Sequence, residues 1–512
     1  MAFFSPQNGV NGSLAITVEN STTSQGTLSP IYQGNGTGVP LVGVSGSIRI
    51  NSSAVLSVAI LGSIRTIRDF TEGPSILVPS IQNATTISQT SNELSLTRIW
   101  LDNVTSTTLS FTPASSNSGA VSLGEGTNIS FEAGVYNFSA SYNYPQLDEI
   151  STKEVLSPSS QILVSQFPDQ TTSLSFLSYS TKLLAGAWRF LTYFGRDSMI
   201  SLLLLQPVLS EGKGGAIEAV IGAVLERINR TDGSVCHEET IGDYATYLNL
   251  QNNITSVDPQ YDYKMVDSDY YLPIVMQNYF VQTETGRGRL DAFFSKQATV
   301  APDNNGLSYA DLALSNAEKI MNSSAPFAGV GGQTKDNLIH LKEGQVVGEW
   351  RDSTYGIGGG RIPFDVNTAL VPAALRSISA LASSGFFPEH PEWNSTASEY
   401  AKVWEDSTLE FFQVRFLTTS PSTLTNRVST KLEHHPSSNR KKPSPELRLF
   451  LGIPRPFKHR QHHVRHPIPR ARTRRKQQSK PRSSHEYRRL FPPLPREFNK
   501  PNPIKLFPFT DG

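Results

Sequence analysis

The 512-residue chain contains a single cysteine, Cys236. No disulfide framework can form within one chain, and cysteine usage leaves the redox compartment open. Charge is also sparse: Asp, Glu, Lys and Arg make up 17% of the residues. That is low for a cytosolic enzyme, and Ser, Thr, Asn and Gly abound instead. No stretch is apolar for the roughly 18 residues a membrane-spanning helix needs, so none is expected. The richest, residues 199–205, reads as a buried helix. Residues 1–11 carry neither a basic n-region nor an apolar h-region. Gly358, Gly359 and Gly360 follow no predicted strand and so make no dinucleotide fingerprint. His237 has no second histidine three or four positions on, which excludes a zinc site by spacing.

The length allows more than one domain and a sizeable core. A net charge of +1 conceals two unlike halves. Residues 416–512 hold 22 Lys and Arg against 5 Asp and Glu; with 45 and 44 in the whole chain, the body is about −16 and the tail about +17. Such halves rarely share one compact fold. Twelve Asn-x-Ser/Thr sites, at Asn11, Asn20, Asn35, Asn51, Asn83, Asn103, Asn128, Asn137, Asn229, Asn253, Asn322 and Asn394, all lie in the body. They favour a secreted or extracellular glycoprotein. With no signal peptide visible, that expectation includes an incomplete N-terminus.

Residues 1–165 read as β structure. Short β-branched runs at 46–51, 54–70, 97–101, 107–112 and 128–142 alternate with Gly, Asn, Ser and Pro turns. Apolar residues fall largely at every second place, which puts them on one face, and a second sheet is needed to bury that face. An N-terminal antiparallel β-sandwich is therefore expected. The period then changes. Helices are predicted over 182–206, 215–228, 269–283, 308–321, 366–384 and 395–413, joined by long loops that carry the unusual residues. Paired helices with loops gathered at one end suit an α/α barrel. From about residue 415 the periodicity stops, and Pro, His and Arg dominate. This tail, 415–512, is expected to be disordered and reads as translation of an unspliced intron or a shifted frame. Clustered Arg and Lys also bind phosphates, but no aromatics interleave with them, so nucleic acid ranks lower as a partner.

Four strings carry chemistry. Phe194-Gly195-Arg196-Asp197-Ser198 brings a planar fork of donors beside two acceptors, costly to bury unless paired; a purely structural pair explains it equally well. Gly233-Ser234-Val235-Cys236-His237-Glu238 gathers charge in one loop after a helix, as a solvated acidic loop also does. Val266-Asp267-Ser268 precedes Tyr270 and Tyr271, whose flat faces can stack on sugar rings; Asp267 or Ser268 is expected to cap the following helix. Gly348-Glu349-Trp350-Arg351-Asp352 sets a tryptophan among carboxylates, and apolar surroundings can keep such an acid protonated.

In order, and with Pro363-Phe364-Asp365-Val366-Asn367 after them, these strings resemble the glucosidase region of glycogen debranching enzymes and related six-hairpin glycosidases. The resemblance covers residues 170–413. It implies an incomplete (α/α)6 six-hairpin toroid over 170–414 and an inverting, exo-acting hydrolase of α-glucosidic linkages, with an oligosaccharide or α-glucan substrate and no cofactor or metal. Inversion uses two carboxyl groups about 6.5–9.5 Å apart. By resemblance the general acid is Asp352. Arg196, Asp197, His237, Glu238, Asp267 and Trp350 bind the sugar, while residues 363–367 shape the barrel. Asp365 stands where the family has Glu. The family's general base lies beyond the matched region, and Glu433, Glu446, Glu486 and Glu497 of the tail are no candidates. The chain as written is therefore expected to fold poorly and to hydrolyse little. The alternatives are a trehalase-like or processing-glucosidase-like hydrolase, a non-catalytic carbohydrate-binding remnant, and a basic-tailed nucleic-acid binder.

Overall fold

The structure, a computed structural model, describes residues 2–5, 29–34, 39–62, 79–115, 118–124, 128–185, 192–351 and 357–413. The expected disorder of 415–512 lies outside the described residues, as does Asp352, the residue expected as general acid.

The N-terminal region is antiparallel β-sheet. Its strands among the described residues are β1 (Ala2–Ser5), β2 (Ser29–Gln33), β3 (Leu41–Ile50), β4 (Ala54–Leu61), β5 (Thr85–Gln89), β6 (Leu94–Ile99), β7 (Ser106–Pro113), β8 (Val121–Leu123), β9 (Asn128–Phe131) and β10 (Gly134–Tyr142). One sheet runs β1-β4-β9-β8 and the other β2-β3-β10-β7-β6-β5. Side chains alternate along β6 and β7: Leu94, Leu96, Leu109 and Phe111 are buried, and their neighbours less so. Both sheets feed one apolar cluster. Phe131 of β9 meets Phe111 of β7 and Tyr136 of β10 edge-on, at 5.2 and 5.1 Å between ring centres. Edge-to-face pairs of this kind add to simple burial.

A helical region follows. It contains α1 (Pro168–Phe176), the short strands β11 (Ser178–Tyr179), β12 (Lys182–Ala185) and β13 (Thr192–Tyr193), then α2 (Gly195–Leu205) and α3 (Ala216–Leu225). Next come β14 (Glu238–Thr240), α4 (Gly242–Gln251), β15 (Gln260–Asp262), α5 (Ser268–Met276), α6 (Glu284–Phe294), α7 (Tyr309–Ala328), α8 (Val371–Ser383) and α9 (Trp393–Ser407). Every residue of α3 is buried. A helix apolar all round has to sit inside the fold, and each fully buried Val, Leu or Ile contributes about 1.5–3 kcal/mol. Its single charge, Glu218, is held by Arg289 at 2.8 Å. Helix α7 opens on a capping box in which Ser308 and Asp311 bond each other's backbone N–H. One apolar cluster runs from Ile150 to Trp404 through these helices.

The predicted helix over 182–206 is corrected. Among the described residues of this stretch only 195–205 is helical; Lys182–Ala185 and Thr192–Tyr193 pair as antiparallel strands. Leu183 and Leu184 satisfy either period, and tertiary pairing decided between them. Residues 186–191, with Trp188 and Phe190, lie outside the described residues. Two predicted helices, 269–283 and 366–384, contain π turns, at Gln277–Val281 and Val366–Leu370. Helices α4 and α6 were not predicted at all. Asn, Tyr, Gly and Arg break up their apolar spacing, and α4 instead packs through Asp243 and Ala245.

The two regions join through buried contacts. Arg98 of β6 pairs with Asp243 of α4, both 1% exposed. Val42, Trp100, Tyr144, Leu147, Tyr179 and Ile241 form one apolar cluster at this junction.

Candidate functional site

The four strings are far apart in sequence, and hydrogen bonds from backbone N–H groups tie them together, while the stretch near residue 365 meets them through the charge of Asp365. Gly195 N–H donates to the His237 carbonyl at 2.9 Å, and Phe194 bridges Glu238. Only glycine fits at 195, because a Cβ there would run into the Cys236 carbonyl oxygen. Val235 N–H donates to Asp269 Oδ1 at 2.7 Å. Val266 N–H donates to the Gly348 carbonyl at 2.7 Å, laying the Asp267 segment along the Trp350 loop. Ile339 N–H donates to Asn367 Oδ1 at 2.7 Å, which anchors the turn after Asp365.

The centre is a charged cluster. Arg196, on the first turn of α2, lies 3.1 Å from Asp267 Oδ2 through Nη1. Asp267 is wholly buried, and its Oδ1 accepts no hydrogen bond. Burial raises its carboxyl above the usual range, with Asp365 pushing the same way and Arg196 opposing. Asp267 does not cap α5, a correction to the expected role, and Ser268 does not either. Asp267 already has helical dihedrals, φ −66° and ψ −33°, so no cap bond is made and its carboxylate pairs with Arg196.

Glu349 is 1% exposed, and neither of its carboxyl oxygens has a hydrogen-bond partner. Burial raises its pKa, the like charges of Asp365 and Asp267 add to this, and Arg351 opposes it. Asp365 is half-buried and likewise raised by burial, against the pull of Arg351 and Arg196. The Tyr271 hydroxyl feels Asp267, Asp365 and Arg196. Trp350 is 50% exposed, and the Arg351 guanidinium stands 4.8 Å from its ring centre.

The remaining expected residues surround this cluster. His237 is buried, edge-on to Phe194 at 5.8 Å, with Nε2 3.9 Å from Glu238 Oε2. Glu238 and Asp197 are half-buried. The next residue, Glu239, is structural. Burial alone pushes its carboxyl up, but Arg227 and Lys182 hold it down at about 2. Glu349, Asp365 and Arg351 were not expected as site residues. Their two strings were legible, yet nothing in either marks which acid turns inward. Among the described residues no cluster of His, Cys, Asp and Glu could hold a metal ion. No helix there is long and apolar enough to cross a membrane.

The arrangement can do two things. Bare, buried carboxyl oxygens can accept hydrogen bonds from a ligand's hydroxyl groups. A half-exposed indole offers a flat face for an apolar ring surface. No protein-family model matches the chain, and no curated protein is significantly similar to it.

Proposed function

We propose that residues 170–413 form the first part of a six-hairpin, (α/α)6-type glycosidase fold and that the cluster around Arg196 and Asp267 is its sugar site. The observation that carries this reading is the convergence of five strings, spread over residues 194–367, on one group of carboxyls, arginines and a half-exposed tryptophan. A structural ion pair alone needs no such gathering, and it leaves Glu349 and Asp267 Oδ1 without partners.

In this reading Arg196, Asp197, His237, Glu238, Asp267 and Trp350 hold a glucosyl unit of an oligosaccharide or α-glucan. Asp352 carries the proton. It passes that proton to the glycosidic oxygen as the bond from C1 breaks, and water adds to C1 from the opposite face with inversion, giving up its proton to a second carboxylate. The second carboxylate is not assigned. Neither cofactor nor metal enters this chemistry. A debranching-like, exo-acting α-glucosidase is the lead reading. The same binding groups also serve a carbohydrate-binding protein without turnover.

The test is incubation with isomaltose and maltose, following the released glucose by proton NMR. Release of the inverted anomer, abolished by Asp352→Asn with sugar binding retained, supports hydrolysis. Binding without release in the native chain moves the assignment to a carbohydrate-binding protein. Absence of both, with Trp350→Ala indistinguishable from native, removes the sugar site altogether.

A further inference from the structure

The sugar-site reading leaves two acids unexplained. Glu349 is almost completely buried, and both of its oxygens lack partners. A buried polar group without a partner is destabilising, so one kept in a folded protein points to a use other than packing. Asp365 is the half-buried acid of the same cluster, at the head of the π turn Val366–Leu370. Single π turns often mark functional positions in helices. Asn367 locks the backbone there, donating to the Pro363 and Ile339 carbonyls at 2.8 and 3.0 Å. Asp365 therefore stands on a fixed support with its side chain reachable.

We propose that Asp365 is a sugar-contacting carboxyl of this site, and that Glu349 is its positioning residue, a buried acid whose charge state decides how Asp365 meets the ligand. This inference rests on the sugar-site reading above. The groups that face Glu349 are Asp365, Asp267 and Arg351. Those that face Asp365 include Arg351, Arg196 and the Tyr271 hydroxyl. Three carboxyls against two guanidiniums leave one carboxyl uncompensated. Glu349, buried like Asp267 but without an ion pair such as Asp267 has with Arg196, has its charged form disfavoured, and Asp365 stays free to accept from sugar hydroxyls. When Glu349 ionises, a second charge appears behind Asp365 with nothing to hold it, and the site loosens. Coupled acids of this kind titrate as a group.

The experiment is calorimetric titration of the full chain with maltose at about pH 5 and about pH 8, the lower pH favouring protonated carboxyls and the higher ionised ones. Native protein, Asp365→Asn and Glu349→Gln are compared. The native chain is expected to bind more weakly at the higher pH. Asp365→Asn is expected to weaken binding about tenfold or more at both, as loss of a charge-assisted hydrogen bond does. Glu349→Gln is expected to bind alike at both. If the native chain binds and both variants reproduce its affinity and pH dependence, the inference fails and the sugar site stands. If the native chain binds at neither pH, the sugar-site reading fails and takes the inference with it. Thermal melts accompany each titration. Glu349→Gln is expected to melt no lower than native; a lower melt identifies Glu349 as a structural acid and overturns the proposal.

Discussion

Replacing Asp243 with alanine tests how the sheet and helical regions are held together. Arg98 and Asp243 are each 1% exposed and directly paired. Arg98 Nε donates to the Leu61 carbonyl, whereas its Nη1 is buried without a partner. Asp243 Oδ1 accepts from Leu101 N–H at 2.7 Å. Asp243→Ala removes the one carboxylate that pairs with this guanidinium among the described residues and strands the charge in a dry site. Breaking a buried pair in this way costs about 3–5 kcal/mol, far more than the pair itself contributes. The orphaned Leu101 N–H adds to the loss, by roughly 1–3 kcal/mol if no water reaches it. Arg98→Met with Asp243→Ala removes both charges and keeps an apolar stem, so most of the loss is expected to return. The assay is urea unfolding followed by far-UV circular dichroism and by tryptophan fluorescence. Trp100 reports on the junction, stacked on Tyr144 at 5.5 Å. The two probes are expected to give coincident transitions in the native chain and to separate in Asp243→Ala. A single-variant loss below about 1 kcal/mol, or a double variant as unstable as the summed single changes, refutes the reasoning.

Three further outcomes are expected. Burial pushes Glu149 up to about 7 from an ordinary 4.5, with Ser175 Oγ donating to it at 2.9 Å; its folded-state value is the higher one. Its contribution is thus present below about pH 4.5 and lost as pH rises through about 7. Glu149→Gln should flatten the pH–stability curve by up to about 3 kcal/mol in that window, and an unchanged slope in urea melts counts against it. Gly195→Ala places a methyl against the Cys236 carbonyl oxygen, so it should lower the melting temperature far more than Gly222→Ala, whose Cβ has its nearest neighbours in the Tyr309 hydroxyl and ring at 3.3–3.7 Å. Cys236 is wholly buried and its thiol is raised well above the usual range by that burial; it should react with a thiol-specific reagent only on unfolding, and labelling in native buffer speaks against this packing.

Local signals carried much of the fold. The two-residue alternation of Leu94, Leu96, Leu109 and Phe111 marks strands wherever they pair, because successive side chains on a strand face opposite ways. The 3.6-residue spacing in 371–383 and 393–407 marks helices for the same kind of reason, and Ser308 with Asp311 announces a helix start by its own hydrogen bonds. These features depend on neighbours a few residues away, so the sequence by itself determined them. The site was legible only as strings. Arg196 and Asp267 stand 71 residues apart, and nothing local says that they meet. Tertiary structure alone decided that Asp267 pairs with Arg196 and does not cap its helix, and that Glu239 serves a buried Lys182–Arg227 pair while Glu238 stays half-buried. It also decided that Glu349 is buried, where the charges of Asp365 and Asp267 reach it. Charge in a protein is set by what surrounds it after folding, and desolvation and through-space coupling have no sequence period to read.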